Sequence, residues 1–352
     1  MSVHGEHTRP LEELRRADEA RFGGKSAALG ELIGAGIDVP EGFGLSASAF
    51  EAFVEEAGLA PRIAAALEGL DPSDVGALRA ASAELVQAIG TAPVPDAIRA
   101  EIAERYSSLG EAAPVAVRSS AIGEDSEDAT FAGQQETFLW VRGPDRVADA
   151  VRDCWASLYG PEAIGYRARL ADAGAPAMGV TVQSMVDAEV SGVMFTCNPV
   201  NGDPSTIAID ASWGLGLAVV AGEVTPDEFR LNKVTGEVTH RSIGPKQVEY
   251  RPDPDGAGTV RLEVESDRRE SPCLDEDGFA ALLEAAKRIE AHFGSHQDVE
   301  WAIPRGESRP RVLQSRPVTT GRRQPKGEGE RRSAIAMVMS RFGADVEGRG
   351  EG

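Results

Sequence analysis

Three separate groups of residues have the side chains that phosphate chemistry needs. Such chemistry requires fixed positive charge, backbone N–H groups that a phosphate can approach, and carboxylate or amide oxygens that hold a divalent cation. Lys25 follows Gly23-Gly24 and begins an apolar repeat with helical spacing, which predicts its ammonium at a helix N-terminus, where the helix dipole favours an anion. The surrounding residues form no Walker motif, so a solvated first-turn lysine is an equal alternative.

Arg118 ends the short β-branched run VAVRS and is followed by two turns of small residues. These turns, residues 119–123 and 130–134, bracket the acidic pair Glu124-Asp125. Turns of this composition allow backbone N–H groups to cover a phosphate. A purely structural loop would explain either turn alone, and a strand-end arginine is often only a surface charge. The two turns together favour a phosphate site.

Glu300 in DVEWAI and Gln314 in RVLQSRP lie in two predicted strands, joined by the loop at residues 304–310. If these strands pair as a hairpin, a carboxylate and an amide oxygen converge, which suits a hard cation such as Mg²⁺. Arg316 lies two residues beyond Gln314 and therefore on the same face. The alternative interpretation is a buried Glu–Arg pair without a ligand.

The elements that must position these residues are helices followed by a mostly β region. Apolar residues at helical spacing predict helices over residues 25–33, 75–89, 96–109, 145–158 and 279–293, and a capping-box pattern at residues 48–51 predicts the start of another. Strands are predicted at VAVRS, at QETFLWV and around residues 179–185, 190–196 and 206–211. The polar stretch at residues 251–275 is expected to be an exposed connection.

The composition excludes several classes of protein. The chain has 352 residues with 36 Lys and Arg against 57 Asp and Glu, a formal net charge of −21, which argues against non-specific binding to nucleic acid or anionic membrane. The N-terminal residues contain no apolar core of signal-peptide length, and no stretch approaches the roughly 20 uninterrupted apolar residues of a membrane span. The three separated cysteines predict neither a disulfide framework nor a zinc cluster. We expect a soluble, cytoplasmic protein that has neither nucleic acid nor a membrane as a partner.

Five motifs, in order, resemble the N-terminal nucleotide-binding region of the phosphoenolpyruvate synthase, pyruvate phosphate dikinase and rifampicin phosphotransferase family. They are GGKSAALGELIGAGIDVPEGFGLSASAF, VAVRSSAIGEDSEDATFAGQQETFLWV, VTVQSMVDAEVSGVMFTCNP, ASWGLGLAVVAGEVTPDEF, and QDVEWAI with VLQSRPVTT. The resemblance covers residues 12–320 and implies an ATP-grasp-like α/β (α+β) fold whose two lobes clamp ATP and magnesium. We therefore expect an N-terminal lobe at residues 1–200, a C-terminal lobe at 201–320 and a flexible tail at 321–352.

The resemblance also implies which residues bind the nucleotide. The positions that match the family are Lys25, Arg118, Gly133, Thr137, Gln183, Glu300, Gln314 and Arg316. Lys25, Arg118 and Arg316 would be the catalytic charges that neutralise the phosphoryl group in transfer. Glu300 and Gln314 would hold Mg²⁺, and Gly133 and Thr137 would lie on the loop that covers the phosphates. Gln183 would lie on the adenine or ribose side, although an ordinary strand-surface amide is the alternative.

The sequence departs from the family pattern at two motif positions and in its extent. Leu217 follows GLG where an acidic residue is usual, which affects a phosphate-side or metal-side contact, and His296 replaces the usual proline before Gln297. Full-length relatives continue with a swivelling domain that carries a phosphorylatable histidine and with a substrate domain. We find neither domain, and none of the five histidines lies in the expected context.

Three functions remain open. The first is an ATP-dependent phosphotransferase that passes a phosphoryl group to a histidine on a separate carrier protein and releases AMP and phosphate, as the family chemistry implies. The second is a stand-alone kinase that phosphorylates a small molecule directly, in specialised metabolism or on an antibiotic. The third is a non-catalytic nucleotide-binding protein, which the matched charged residues disfavour. The sequence leaves the acceptor open.

Overall fold

The structure, a computed structural model, describes residues 6–121, 136–169, 176–254 and 258–318. The strands are β1 (Thr8–Pro10), β2 (Gly42–Leu45), β3 (Val115–Ala121), β4 (Thr137–Val141), β5 (Met178–Ser184), β6 (Ala188–Phe195), β7 (Thr206–Trp213), β8 (Asp227–Asn232), β9 (Val238–Ser242), β10 (Val248–Pro252), β11 (Thr259–Glu263), β12 (Gln297–Pro304) and β13 (Arg311–Pro317). The helices are α1 (Glu19–Phe22), α2 (Gly24–Gly34), α3 (Ala47–Glu56), α4 (Ala60–Leu67), α5 (Val75–Thr91), α6 (Asp96–Leu109), α7 (Pro144–Ser157), α8 (Pro161–Arg169), α9 (Leu217–Val220), α10 (Ser266–Arg269) and α11 (Glu276–Phe293). The fold class is therefore mixed α+β.

The described residues form two compact units. The first comprises the residues up to Gly34 and those from Pro40 to Met185, and the second comprises the short segment Ala35–Val39 and most of the chain after Met185. This division precedes the boundary at residue 200 expected from the sequence, because β6 pairs with β7 and β12 and so belongs to the second unit. The expected tail at residues 321–352 lies outside the described residues.

The sheet of the first unit has two chemically different faces. Its strand order is β1-β2-β5-β3-β4, and each neighbouring pair is antiparallel. Val117, Val180 and Val182 are fully buried on one face, within a core that α3, α5, α6 and α7 complete. Because successive side chains in a strand point to opposite faces, Arg118 and Thr181 lie on the other face. That polar face carries three of the predicted site residues, Arg118, Thr137 and Gln183.

Large apolar side chains hold the helices against the apolar face. Trp155 of α7 stacks on Phe53 of α3 with the ring centroids 5.0 Å apart, and both side chains are fully buried. Burial of a side chain of this size contributes roughly 1.5–3 kcal/mol. No described helix combines the length and the apolar character that a membrane crossing requires.

The second unit is built on an antiparallel sheet with the order β13-β12-β6-β7-β8-β9. One face packs against α11, where Phe279 meets Phe229 of β8 edge to face with the ring centroids 4.8 Å apart. On the opposite face, Val193 and Phe195 of β6 pack against α9, whose Ala218 is fully buried. This second face also carries Glu300, as its pairing with Val193 requires.

The helix predicted from the capping-box pattern begins earlier than that pattern indicates. α3 starts at Ala47 after Ser46, and the Ser46 side chain makes no capping hydrogen bond. The hydroxyls of Ser46 and Ser48 instead bond to each other at 2.8 Å. The prediction of a cap at Ser48 was therefore wrong, and this residue lies in the first turn.

The prediction of an exposed connection at residues 251–275 was also wrong in part. The start of this segment completes β10, which pairs with β11, and α10 follows. The strands were missed because prolines, aspartates and glycines dominate the start of this segment, although Val260 and Leu262 alternate with the polar Arg261 and Glu263. Arg261, Leu262 and Glu263 are all exposed, so the alternation in β11 does not mark a buried face.

Candidate functional site

Lys25 lies in the first turn of α2, as predicted, and is nearly fully buried, with 6% of its surface exposed. The preceding Gly23 has a φ of +80°, and a Cβ atom at this position would lie 2.2 Å from the carbonyl oxygen of Ser120. Only glycine tolerates both the backbone conformation and this approach. Gly23 therefore allows the start of α2, and with it Lys25, to lie directly on the end of β3.

Arg118 lies between two hydroxyl-bearing residues in the sheet of the first unit. Its register partners are Thr137 on β4 and Thr181 on β5. Directly opposite residues in an antiparallel pair share a face, so Arg118 and Thr137 project to the same side. Thr137 is exposed. Gly133, the other residue predicted to cover phosphates, lies outside the described residues.

Gln183 lies on the same polar face, two residues after Thr181 on β5, and only 3% of its surface is exposed. Its register partners are the small residues Gly42 and Ala116. Among the residues that the structure describes, its amide Nε2 has no hydrogen-bond partner. Leaving a buried donor unsatisfied is costly. This donor therefore fits a ligand with an acceptor atom, such as a nucleotide base or ribose.

In the second unit, Glu300 and Gln314 are register partners on β12 and β13. Their Cβ atoms are therefore about 4.5–5.5 Å apart on one face, as the predicted hairpin requires. A bulge lies between Glu300 and Trp301, where the pairing shifts register; bulges of this kind re-aim the side chains beside them. The two residues offer a carboxylate and an amide oxygen, the donor set that a hard cation takes.

The described residues contain no group of three or more histidine, cysteine or acidic side chains that could hold a metal by itself. A cation at Glu300 and Gln314 would therefore need further oxygen ligands. Mg²⁺ is commonly held by one or two protein carboxylates together with substrate phosphates and water. The donor set accordingly fits a metal that arrives with a nucleotide better than a permanent structural metal.

Arg316 forms an ion pair with Asp298, its register partner, in the second unit. The Arg316 Nε donates to Asp298 Oδ2 at 2.9 Å, and a second guanidinium nitrogen lies 2.9 Å from the same oxygen. Burial raises the pKa of the Asp298 carboxyl, the Arg316 charge opposes that rise, and the nearby Glu300 carboxylate adds to it. The pair orients the guanidinium beside the Glu300–Gln314 position.

Sequence reasoning missed Asp298, although a signal was present. Asp298 and Glu300 are two residues apart in a predicted strand and so share a face, as Gln314 and Arg316 do on the partner strand. The hairpin therefore carries two polar pairs side by side. Reading both strands at this spacing would have assigned all four residues to one surface.

Asp210 is a second residue that sequence reasoning passed over. It is the register partner of Val193, which in turn is the partner of Glu300, so Gln314, Glu300 and Asp210 lie in one row across four strands. Only 3% of the Asp210 surface is exposed. The alternation in TIAIDASW shows an acid among apolar residues, but the row depends on the strand order, which sequence does not reveal.

Leu217, at the position where an acidic residue is usual, is the first residue of α9 and is half-buried. The following Ala218 and Val219 pack against Val193 and Phe195. This short helix thus covers part of the sheet face that carries Glu300, with a leucine instead of a carboxylate at its start.

Comparison with known proteins gives the family. Residues 19–336 match the family described as "Pyruvate phosphate dikinase, AMP/ATP-binding domain". A "Probable phosphoenolpyruvate synthase" of Methanothermobacter thermautotrophicus is 44% identical over 316 residues, which cover 88% of this chain and 46% of that protein. A "Rifampicin phosphotransferase" of a Streptomyces species is 40% identical over 312 residues, which cover 88% of this chain and 36% of that protein.

The "Phosphoenolpyruvate synthase" of Pyrococcus furiosus is 36% identical over an alignment of 378 positions, which covers 95% of this chain and 46% of that protein. The chain thus spans less than half the length of these curated relatives. The family match confirms the resemblance seen in the motifs. This chain belongs to the pyruvate phosphate dikinase AMP/ATP-binding domain family.

Proposed function

We propose that this chain is an ATP-grasp-like, ATP- and Mg²⁺-dependent phosphotransferase. The observation that carries the proposal is the polar hairpin of the second unit, where Glu300 pairs with Gln314 beside the ion pair of Asp298 and Arg316. A cation-binding pair next to an oriented guanidinium suits a metal-bound polyphosphate. The names of the relatives, which include synthases that form phosphoenolpyruvate and a phosphotransferase, support this activity.

We assign different parts of the Mg²⁺-bound nucleotide to the residues of each unit. In the first unit, Lys25, Arg118, Gly133 and Thr137 bind the phosphates, and Gln183 binds the adenine or ribose side. In the second unit, Glu300 and Gln314 hold Mg²⁺, which neutralises phosphate charge when it is bound. Support for the first unit comes from the shared face of Arg118 and Thr137 and from the Gln183 amide nitrogen, which has no hydrogen-bond partner among the described residues.

The catalytic contribution of the protein is electrostatic. Phosphoryl transfer develops charge on the transferred group, and fixed cations stabilise that charge without reorganisation. Lys25, Arg118 and Arg316 supply this charge. Asp298 holds the Arg316 guanidinium in place, because two guanidinium nitrogens contact the same carboxylate oxygen of Asp298. Electrostatic stabilisation, together with positioning of the reacting phosphate, supplies almost all of the catalysis in this reaction class.

We propose a histidine outside this sequence, on a carrier protein, as the acceptor of one phosphoryl group; water takes the second, so that AMP and phosphate are the other products. This route is the one that the resemblance of the motifs to the phosphoenolpyruvate synthase family implies. Direct phosphorylation of a small molecule, with ADP as the product, is the second candidate, because one relative is named for transfer to the antibiotic rifampicin. A non-catalytic nucleotide-binding role is the third.

Product analysis separates these functions. The purified chain is incubated with ATP, Mg²⁺ and a cell extract divided by ultrafiltration into a macromolecular and a small-molecule fraction, and ³¹P NMR follows the products. AMP and phosphate formed only with the macromolecular fraction support the carrier route, whereas ADP formed with the small-molecule fraction supports the kinase. The Glu300→Gln variant is the control for contaminating ATPases. A wild-type protein that turns over no ATP with either fraction contradicts the catalytic proposal.

A further inference from the structure

A buried hydrogen bond joins two residues to which no role has been assigned. The hydroxyls of Ser26 on α2 and Thr181 on β5 lie 2.7 Å apart, and neither residue has any exposed surface. Ser26 immediately follows Lys25, and Thr181 is the register partner of Arg118. One hydrogen bond therefore links the helical turn that carries Lys25 to the strand position beside Arg118.

A glycine on the neighbouring strand leaves space for this hydrogen bond. Thr181 pairs with Arg118 on one side and with Gly44 of β2 on the other. A Cβ atom at Gly44 would lie 3.1 Å from Ser26 Oγ, closer than most such contacts in proteins. The absence of a side chain at Gly44 thus leaves room for the Ser26 hydroxyl over the sheet.

A second contact holds the same helical turn two residues further along the strands, at the next pair on the same face. The backbone N–H of Ser26 donates to Ser120 Oγ at 3.4 Å. Ser120 pairs with Gly179, and a Cβ atom at Gly179 would lie only 2.1 Å from the carbonyl oxygen of Phe22. The start of α2 therefore rests on two neighbouring rows of the sheet, and its position is closely determined.

A hydrogen bond constrains a helix differently from apolar packing. Apolar contacts allow small rotations and slides, whereas a hydroxyl pair has a preferred distance and direction. Because Lys25 and Ser26 are adjacent in one helical turn, any rotation that the Ser26–Thr181 bond prevents would also move Lys25. The same bond is anchored on the strand position that carries Arg118 as its neighbour.

We propose that the Ser26–Thr181 hydroxyl pair is a positioning element that sets Lys25 relative to Arg118 for phosphate binding and transfer. The inference rests on the proposed function, since Lys25 and Arg118 are its phosphate-binding charges. It goes beyond that function by assigning a role to two fully buried residues outside the proposed nucleotide-binding set. A purely structural pair would change only the stability of the fold.

The test compares Ser26→Ala, Thr181→Val and the double variant with Thr181→Ser, which keeps the hydroxyl. We expect kcat to fall about 10-fold in each variant that loses the bond, because small displacements of catalytic groups slow reactions strongly. KM for ATP should change far less, and Thr181→Ser should retain kcat.

The double variant removes both hydroxyls and so leaves neither unpaired, and its melting temperature should therefore stay near that of the wild type. Ser82→Ala, at a buried serine of α5, is the control for loss of a hydroxyl.

The same substitutions made in a Lys25→Met background test whether the hydroxyl pair acts through Lys25. If the pair acts through Lys25, adding the double substitution should lower kcat no further. A double variant with wild-type kcat would overturn the proposal, as would an equal loss in both backgrounds, which would mean a general structural effect. Unchanged turnover in Lys25→Met itself would instead refute the assigned role of Lys25. A wild type that turns over no ATP refutes the proposed function, and this inference, which rests on that function, is refuted with it.

Discussion

Glu300 on β12 and Gln314 on β13 face each other as register partners in an antiparallel hairpin. Antiparallel pairing places their side chains on one surface, next to the similarly paired Asp298 and Arg316. A slip of one residue in this register would turn one strand's polar side chains to the opposite face. The chemistry assigned to this hairpin therefore depends on its register as much as on its residue types.

Arg118→Ala should weaken ATP binding by about 10- to 100-fold, since a hydrogen bond to a charged group contributes about 1.5–3 kcal/mol. Arg118→Lys should give an intermediate loss, because lysine keeps the charge but not the planar fork of donors. Calorimetric titration with ATP measures both effects. The matched control is Arg142→Ala, at an exposed arginine just after β4, which should bind ATP like the wild type. Wild-type affinity in Arg118→Ala would refute the assignment.

Gly179→Ala should destabilise the first unit by at least about 2 kcal/mol, since its new Cβ meets backbone that cannot easily move. The contact is the carbonyl oxygen of Phe22, at 2.1 Å from the ideal Cβ position. Gly90→Ala is the opposite case, because nothing lies within 4 Å of a Cβ at this helical glycine. It should stabilise the protein by about 0.5–1 kcal/mol. Urea unfolding followed by circular dichroism measures both changes, and equal midpoints for the two variants would contradict the close approach of α1 to β5.

Glu290 should make the stability of the second unit depend on pH. Burial disfavours its charge, but hydrogen bonds from Lys233, Thr196 and His296 outweigh burial and lower the pKa of Glu290 below its ordinary value of 4.5. A carboxyl with a lowered pKa in the folded state stabilises the fold above its ordinary pKa, and this contribution is lost as the pH falls through the lowered value. Glu290→Gln should therefore lose stability near neutral pH and show a smaller further loss at about pH 3.

Urea midpoints at the two pH values measure this dependence. Glu284→Gln, at an exposed position of the same helix, is the matched control and should follow the wild-type pH profile. A Glu290→Gln variant with the full acid-induced loss of the wild type would show that Glu290 does not contribute to it.

The three cysteines should be unreactive in the native protein. Cys154, Cys197 and Cys273 are free and buried, and burial is the main cause that raises the pKa of each thiol. The thiolate is the reactive form, so a raised pKa and an inaccessible sulfur both slow modification. A chromogenic thiol reagent should label none of them without denaturant and all three in urea. Rapid labelling of a native thiol would mean that the packing around that cysteine opens readily.

Local patterns predicted the elements that carry the site. The apolar repeat after Lys25 predicted α2, whose observed bounds are Gly24–Gly34, and the DVEWAI and RVLQSRP strands with a short loop predicted the hairpin of Glu300 and Gln314. These signals are local: one is a helical period, and the other is two strands separated by a few turn residues. The structure confirms both elements.

The other features of the site could not be predicted from short stretches of sequence, because they depend on the order of the strands in the sheets. Asp210 enters the row of Glu300 only because β6 lies between β7 and β12. The bond of Ser26 to Thr181 likewise joins residues 155 positions apart in the chain. No periodicity within a short window encodes such pairings, since they are set by tertiary packing.

The magnesium dependence of ATP binding tests the central claim most directly. ATP is titrated calorimetrically into the wild type and into Glu300→Gln, each in excess Mg²⁺ and in EDTA, with Glu228→Gln on the same sheet face as the control. We expect Mg²⁺ to tighten ATP binding in the wild type and in the control, and this gain to fall by more than about 10-fold in Glu300→Gln, as loss of a metal ligand requires. Equal ATP affinity with and without Mg²⁺ in the wild type, or an undiminished magnesium effect in Glu300→Gln, would contradict the account.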